Sequence, residues 1–166
     1  MKHLSLSMMI LSTTFAASLA QAKGNAAADV ALSPAGSFVA KTEEVAGEAI
    51  QEGDTVKAEN IVVKLDSLKT GIPLRDKHAK DKYLETKKFP DAVLTKAIGK
   101  GGKGKGRLKI RNIEKDVEGT YKVDGGNLTA NFPIKLSDYG ITGIKYMGVG
   151  VDDQVKLTVT VPVKKK

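Results

Sequence analysis

The sequence predicts an all-β domain in which antiparallel strands form a sandwich or a closed barrel, with one short helix inserted. Apolar and polar residues alternate through several runs between Thr55 and Val163. Turns rich in Gly and Asp separate these runs, as at Asp124–Gly126. The alternation stops over one long stretch, Asp66–Pro90. Together these features are typical of a meandering β fold with a single helical insertion.

The clearest strand patterns lie in the middle and at the end of the chain. Thr55–Leu65 alternates, but its apolar side changes near Asn60, which predicts a β-bulge or a bend. Leu128–Leu136 alternates throughout, and Pro133 within it predicts an edge or a break in pairing because proline has no N–H to donate. Further strands are predicted at Ala92–Ile98, Arg107–Arg111, Val117–Val123 and Val155–Val163.

The patterns are weaker in the first part of the domain and in one glycine-rich segment. Lys23–Asp29 predicts a flexible start, and Gly36–Thr42 and Glu44–Ile50 predict short strands. Gly99–Gly106 predicts a mobile basic hairpin loop. This segment is also similar to a phosphate-binding loop, but Gly106 stands where Ser or Thr would bind magnesium, and no βαβ pattern surrounds it. We therefore interpret the segment as a loop between strands.

A closed barrel of about eight strands suits a small β protein, because closure leaves no exposed sheet edge. The chain has no cysteine for a disulfide, no tryptophan and few other aromatic residues. The predicted inward positions include small or β-branched residues, namely Ala58, Val62, Ala130 and Val159. A barrel lined in this way keeps an apolar cavity, whereas larger Leu and Ile side chains would close it. The composition favours the cavity over a solid core.

The insertion predicts one short helix at about residues 75–86. This segment is rich in helix formers, contains neither Gly nor Pro, and lies between Pro73 and Pro90. Asp76 is predicted to be the N-cap residue. The Arg75 side chain would then point to a strand carbonyl or to Asp138. A helix inserted into a β barrel is expected to cap or plug one end of it.

The first residues have the composition of a secretory signal peptide. A lysine precedes an uncharged run from Leu4 to Ala20, and the small residues Ala20 and Ala22 predict cleavage after Ala22. The run is too short and too rich in Ser and Thr to favour a membrane-spanning helix. The sequence thus predicts a leader at residues 1–22 and one exported domain at residues 23–166.

The charged and reactive residues narrow the class of function. A formal net charge of +8 favours affinity for anionic surfaces. Aromatic residues are not interleaved with the basic ones, which argues against nucleic-acid binding. There is no Cys and no Gly-x-Ser-x-Gly motif for nucleophilic catalysis. His78 is the only histidine outside the leader, and Asp81 shares its helix face, so a metal site is disfavoured.

Several short runs stand out in the insertion and in two later segments, namely Thr70-Gly71, Arg75-Asp76, His78, Tyr83-Leu84, Phe89-Pro90, Leu136–Ile141 and Val149–Val155. Together these residues resemble the YceI-like family of bacterial periplasmic proteins. The resemblance spans about Ala58 to Val163 and implies a periplasmic, lipocalin-like barrel that binds polyisoprenoid or quinone-like lipids along its axis. The chain departs from the family pattern in Asp29–Gly47, which contains neither His nor Trp.

The resemblance also implies a set of ligand-binding residues. His78, Tyr83 and Tyr139 are expected to make polar contacts near the barrel mouth. Each strand's contribution depends on register, because a shift of one residue moves the whole set to the opposite face. The other expected lining residues are Ile61, Val62, Leu74, Leu84, Phe89, Leu108, Phe132, Leu136, Tyr146 and Met147.

These features predict a periplasmic protein that binds or carries a long apolar lipid, with no catalytic residue, metal or other cofactor. The alternative is a non-catalytic, solid barrel that binds an anionic envelope component or a redox partner. Weak contact with an anionic membrane surface is predicted through the Gly99–Gly106 loop and the Lys164–Lys166 tail. An enzyme that uses His78 or a tyrosine is disfavoured, because no second histidine and no paired carboxylate accompanies His78.

Overall fold

A computed structural model describes residues 23–166, apart from the side chain of Tyr146. The predicted leader at residues 1–22 and its cleavage site lie outside the described residues. The rest of the chain forms a closed antiparallel barrel of eight strands, so the predicted all-β barrel is confirmed. The strands are β1 (Gly24–Ser33), β2 (Ser37–Ala46), β3 (Ala49–Glu52), β4 (Thr55–Lys64), β5 (Asp91–Lys100), β6 (Lys103–Ile110), β7 (Ile113–Asp124), β8 (Asn127–Lys135), β9 (Lys145–Tyr146) and β10 (Val149–Lys165).

The barrel closes because β10 pairs with both β8 and β1. Around the barrel the order is β1, β2, β4, β5, β6, β7, β8 and β10. The short β3 lies between β4 and β10 at one end, where it is antiparallel to β4 and parallel to β10. It fills a gap that arises because β2 and β4 pair through two residue pairs only. The predicted short strands before Thr55 are therefore β2 and β3, with shifted bounds.

The predicted flexible start at Lys23–Asp29 is wrong. β1 begins at Gly24 and is hydrogen-bonded to β2 on one side and to β10 on the other. Its alanines have low intrinsic preference for strands, but pairing on both sides and burial of Ala26 and Val30 outweigh that preference. The first strand of the described chain is thus part of the barrel wall.

The predicted change of face in β4 is present at Asn60, whose φ is +52°. Val56 and Ala58 point inward before it, and Ile61 and Val63 point inward after it. The neighbouring β5 shifts its register against β6 between Leu94 and Lys96. Adjacent strands therefore bend at the same height, which lets the barrel wall curve while apolar residues stay inside.

The predicted mobile loop at Gly99–Gly106 is wrong as well. β5 continues to Lys100 and β6 starts at Lys103, so only Gly101 and Gly102 form the turn, both with positive φ. Gly99, Gly104 and Gly106 lie within strands and border the barrel interior. The sequence predicted a loop here because glycine is rare in strand interiors. At Gly99 and Gly106 glycine is required because neighbouring groups approach the backbone closely, whereas Gly104 has no contact nearer than 3.4 Å.

Pro133 lies where the pairing of β8 is one-sided, as predicted. β8 pairs with β10 from Asn127 to Lys135, but its pairing with β7 ends at Asn131. The missing N–H of Pro133 therefore interrupts no ladder. This opening of β7 from β8 leaves room at that end of the barrel for the segment that follows β8.

The insertion, which we call the insert (residues 66–90), connects β4 to β5. Its helix is α1 (Pro73–His78), continued by a π-helical segment, Ala79–Leu84, so the predicted bounds of 75–86 are two residues late at each end. Proline is tolerated in the first helical turn because its N–H would be unpaired there. The helix ends at Glu85, which has a φ of +49°. No helix within residues 23–166 is long and apolar enough to cross a membrane.

Two contacts tie the insert to the barrel wall. Lys69 and Lys41 of β2 exchange two backbone hydrogen bonds of 2.9 Å. At the other end, the Leu65 N–H donates to the Pro90 carbonyl at 2.8 Å. The insert is therefore closed into a loop against the end of the barrel. Two 3₁₀ turns, Leu65–Ser67 and Leu136–Tyr139, flank the same end.

Candidate functional site: an apolar cavity and its mouth

A cavity of about 680 Å³ occupies the barrel interior at the end that carries the insert. Every barrel strand except β7 contributes to its lining, and the lining side chains within the barrel are aliphatic apart from two phenylalanines. The predicted cavity is therefore present, and the barrel interior is not solid. Its main wall residues are Ala26, Ala28, Val30, Leu32, Phe38, Ala40, Ile61, Val63, Leu65, Ala92, Leu94, Leu108, Ile110, Phe132, Ile134, Val151, Val155, Leu157 and Val159.

A second, smaller cavity of about 90 Å³ lies beneath the first. Four residues line both cavities and form the floor between them, namely Ile61, Leu94, Phe132 and Val159. Below this floor, the ring of Tyr121 covers the glycines of β5 and β6. A Cβ on Gly99 would lie 2.4 Å from Cε1 of Tyr121, so only glycine leaves room for the ring. This packing leaves only the small cavity at the far end, which we call the closed end.

The large cavity opens at the opposite end, which we call the mouth. The exposed residues among its lining all lie there, on the insert or next to β9. Ile72 and Leu74 are each 51% exposed, and Met147 is 86% exposed. The apolar lining therefore continues from the interior onto the outer surface without a polar break at these positions. The insert forms one side of the mouth and the β9–β10 hairpin the other.

Polar side chains border the cavity at the mouth, mainly on the insert. The backbone N–H and the hydroxyl of Thr70 both donate to Asp76. Arg75 donates from Nε to the Thr70 hydroxyl at 2.8 Å and from Nη2 to the Thr70 carbonyl at 2.9 Å. The guanidinium also stacks on Phe38, 4.0 Å from the ring centre. Thr70 thus fixes both charged residues, and Arg75 covers the outer end of an apolar wall.

This arrangement corrects the roles predicted for Arg75 and Asp76. The N-cap residue of α1 is Ile72, which makes no side-chain capping bond, and Asp76 lies within the helix. Burial disfavours the charge of Asp76, but the hydrogen bonds from Thr70 outweigh it and hold the pKa of this carboxyl below its usual range. Arg75 bonds to Thr70 within the insert, and not to a strand or to Asp138.

Arg111 connects three segments around the mouth. It lies in the turn between β6 and β7, with a φ of +51°. Its Nη1 donates to the Gly140 carbonyl at 2.7 Å, and its Nη2 pairs with Glu85 at 2.5 Å. The guanidinium lies 5.8 Å from the ring centre of Phe89. Arg111 therefore holds the end of the helical segment against the segment after β8.

The structure brings most of the predicted binding residues to the cavity. Four of them are on the insert, among them the polar residues His78 and Tyr83. The set expected from the sequence thus converges from five separate parts of the chain. The predicted residues that line the cavity are Ile61, Leu74, His78, Tyr83, Leu84, Leu108, Phe132, Leu136 and Met147.

Three predicted binding residues do not line the cavity, and the side chain of Tyr146 lies outside the described part of the chain. Val62 points outward, because the bend at Asn60 turns Ile61 and Val63 inward. Phe89 follows the helical segment and packs beside Arg111 outside the cavity. Both residues were predicted from the family resemblance, and for Val62 the strand register was also left open by the sequence.

Tyr139 is the third residue outside the cavity. It lies in the 3₁₀ turn after β8, is only 1% exposed, and belongs to the main apolar cluster of the barrel. Its hydroxyl is buried with no hydrogen-bond partner among residues 23–166. Burial, helped by the nearby charge of Asp138, raises the pKa of Tyr139 to about 12. Tyr139 therefore supports the barrel end instead of offering a polar contact to a ligand.

The prediction missed the contribution of β1 and much of β10 to the cavity. Ala26, Ala28, Val30 and Leu32 follow the period of two that marks one face of a strand. Their alternation was present in the sequence, but the small side chains gave a weak hydrophobic signal. The pairing of β1 with β10 shows that this alternation marks the inward face, since both strands carry inward aliphatic residues at matching heights.

A metal site is not formed by the described residues. No group of three or more His, Cys, Asp or Glu side chains within residues 23–166 is arranged to hold a metal ion. Asp81, which shares a helix face with His78, pairs with Lys77 at 2.5 Å. The hydrogen bond from Lys77 lowers the pKa of Asp81, and the carboxylate is committed to that pair.

Comparisons with known proteins agree with the fold. The sequence profile of the YceI-like domain matches residues 8–163, and no curated protein matches the sequence. The barrel is similar to BcnA of Burkholderia cenocepacia, with a TM-score of 0.62 and 14% identity over 82% of this chain and 94% of that one. It is also similar to a polyisoprenoid binding domain from Saccharophagus degradans that is implicated in plant cell wall breakdown, with a TM-score of 0.60 and 11% identity over 85% and 93% of the two chains.

A third similar structure is the YceI protein of Campylobacter jejuni, with a TM-score of 0.55 and 18% identity over 99% of this chain and 94% of that one. At these identities the structural likeness shows the fold. The profile match is independent of it and extends from before the first strand into β10. The chain belongs to the YceI-like family.

Proposed function

We propose that this protein binds and carries one long apolar lipid, of isoprenoid or quinone-like chemistry, inside the barrel. The observation that carries the proposal is the apolar cavity of about 680 Å³ with an open mouth. Its volume lies within the range of sites that hold small organic molecules. Because the inner wall is aliphatic, the lipid chain would be held by burial alone, at about 0.8 kcal/mol for each CH₂ group removed from water.

The distribution of polar groups supports one orientation of the lipid. The chain enters the barrel towards the floor at Phe132, and any polar head group stays at the mouth. There it meets His78, Lys80 and Lys145, whose side chains border the cavity. One structural neighbour is a polyisoprenoid binding domain, which supports the same class of ligand.

The proposal is one of binding and not of catalysis. The alternative, a barrel that acts only through its basic outer surface, depends on a solid interior, and the cavity argues against it. The predicted leader and the periplasmic location are part of the proposal. A soluble carrier of this kind would shield a prenyl chain from the water between two membranes.

Native mass spectrometry of the protein purified from the periplasm of its own cells tests the proposal. We expect a chain that begins at Lys23 and an additional mass that fits one prenyl lipid. Denaturation and organic extraction should release that lipid. A bare mass, together with no uptake when a polyprenol or ubiquinone is added, would refute the carrier function. A full-length mass would refute cleavage after Ala22 while leaving the carrier function intact.

A further inference from the structure

The exposed apolar side chains of this protein gather at the cavity mouth. Six large hydrophobic residues within residues 23–166 remain substantially exposed. Four of them line the cavity, and we call these four the mouth rim. The rim consists of Ile72, Leu74, Met147 and Val149, whereas Ile98 and Ile113 do not line the large cavity.

The rim comes from both sides of the opening. Ile72 and Leu74 stand at the start of the insert's helix, and Met147 and Val149 stand on the β9–β10 hairpin. Met147 has a φ of +49° at the hairpin turn, and its side chain is 86% exposed. Exposed apolar groups that surround an opening, and do not lie scattered singly, mark an interaction surface.

Basic residues flank the rim on the insert side. Residues 69–88 contain seven Lys or Arg and three Asp or Glu. Within residues 23–166, Lys69, Lys80, Lys87 and Lys145 form no salt bridge with a carboxylate, although the charges of Lys80 and Lys87 help to lower the pKa of Asp76 and Asp81. Lys80 and Lys145 also border the cavity itself. An apolar rim flanked by positive charge has the composition of a surface that lies on an anionic bilayer.

The basic segments expected to contact a membrane lie at the wrong end for this purpose. The turn after β5 and the C-terminal tail are both at the closed end. Their lysines are partly neutralised, since Lys100 pairs with Asp54 at 3.0 Å and Lys164 pairs with Glu48 at 2.8 Å. Contact through that end would direct the opening away from the bilayer.

We propose that the mouth rim docks on a phospholipid bilayer that carries anionic head groups. In this position the rim enters the outer apolar layer and the flanking lysines meet phosphate groups. The opening then faces the bilayer, and a lipid chain passes between membrane and cavity without crossing water. This inference rests on the proposed carrier function, because it gives the route by which that lipid enters and leaves.

Co-sedimentation with two kinds of vesicle tests the docking. One kind contains phosphatidylethanolamine and phosphatidylglycerol, and the other phosphatidylcholine alone. We expect binding to the anionic vesicles, weakened by salt, and binding about tenfold weaker for Met147→Ser and for the double variant Ile72→Ser with Leu74→Ser. Ile98→Ser is the matched control, because Ile98 is also exposed but lies away from the mouth. It should bind as the unaltered protein does.

Charge reversal distinguishes the two ends of the barrel. Lys80→Glu with Lys145→Glu should weaken binding to anionic vesicles about tenfold or more, whereas Lys103→Glu with Lys105→Glu at the closed end should change it little. Equal binding by the rim variants and the unaltered protein, or a loss confined to the closed-end variant, would overturn docking through the mouth.

A second readout separates this inference from the carrier function. The unaltered protein is offered a polyprenol in detergent as well as in vesicles. Uptake from detergent without any vesicle binding overturns the docking and leaves the carrier function standing. Vesicle binding through the rim without uptake from either source supports the docking and overturns the carrier function.

Discussion

Filling the cavity from its wall should weaken lipid binding strongly without unfolding the barrel, and Ala28→Phe is the sharpest way to do so. Ala28 lies on β1, is half-buried, and borders the large cavity. Its neighbours across the sheet are Leu157 on β10 and Ala40 on β2. A phenylalanine at position 28 therefore has a small neighbour, Ala40, on one side. The cavity of about 680 Å³ leaves room for a phenyl ring.

The size of the effect follows from the volume that the ring takes. The six added ring carbons displace about the five carbons of one isoprene unit. At about 0.8 kcal/mol for each buried CH₂, exclusion of that unit costs about 4 kcal/mol if it stays in water. A flexible chain recovers part of this by bending towards the mouth. A net loss of about 2–3 kcal/mol corresponds to binding weakened about 30- to 150-fold.

The assay is a titration of lipid-free protein with a polyprenol, followed by native mass spectrometry. Ala46→Phe is the control, because Ala46 is exposed on β2 and borders neither cavity. The melting temperature is measured for both variants. Overpacking a filled core costs about 1–3 kcal/mol. A strongly destabilised Ala28→Phe protein, or one that binds the polyprenol as tightly as the control does, would show that position 28 does not face an open lipid site.

Two further predictions concern the barrel itself. Gly119→Ala should destabilise the protein by about 2–3 kcal/mol in a urea titration, because the new Cβ would lie 2.1 Å from the Asn131 carbonyl oxygen of the neighbouring strand. Gly104→Ala, at the position paired with Gly119, should change stability by less than about 1 kcal/mol, since its nearest contact is 3.4 Å; equal losses would contradict the close approach. Hydrogen bonds from Lys88 and, to a smaller extent, from Arg111 hold the pKa of Glu85 below 4.5. These bonds therefore stabilise the folded protein fully above pH 4.5, and the stabilisation is lost as the pH falls through the lowered pKa. Glu85→Gln should therefore lower the urea midpoint at pH 7 and flatten its fall below pH 4.5, and a variant that keeps the full acid dependence would refute this role.

The glycine-rich segment shows how local sequence misleads in this fold. Eight residues of Gly and Lys have the composition of a flexible loop, and local reasoning finds no strand there. In the structure six of these residues are in strands. Gly99 and Gly106 must be glycine, because a Cβ at either position would lie within 2.4–2.6 Å of an atom from another strand. The reason for glycine lies in Tyr121 and in the backbone of β5, which are distant in sequence or visible only once the strands pair.

The residues that line the cavity could be predicted only where the position of their segment in the fold could be predicted. Positions on the insert, such as Leu74 and His78, were found because the resemblance marked that segment. Strand positions required the register, and Val62 was placed on the wrong face although the bend at Asn60 had been recognised. The inward face of β1 was missed because alanines carry little hydrophobic signal.

By itself the sequence determined the class of fold, the single insertion and the apolar character of the interior. These properties follow from alternation with a period of two, from turn residues and from composition, all of which act over a few neighbouring residues. The tertiary structure alone decided which strands close the barrel, where the floor at Phe132 divides the interior, and which end is open. Closure depends on pairing between β1 and β10, which lie more than a hundred residues apart, and no local pattern encodes such a contact.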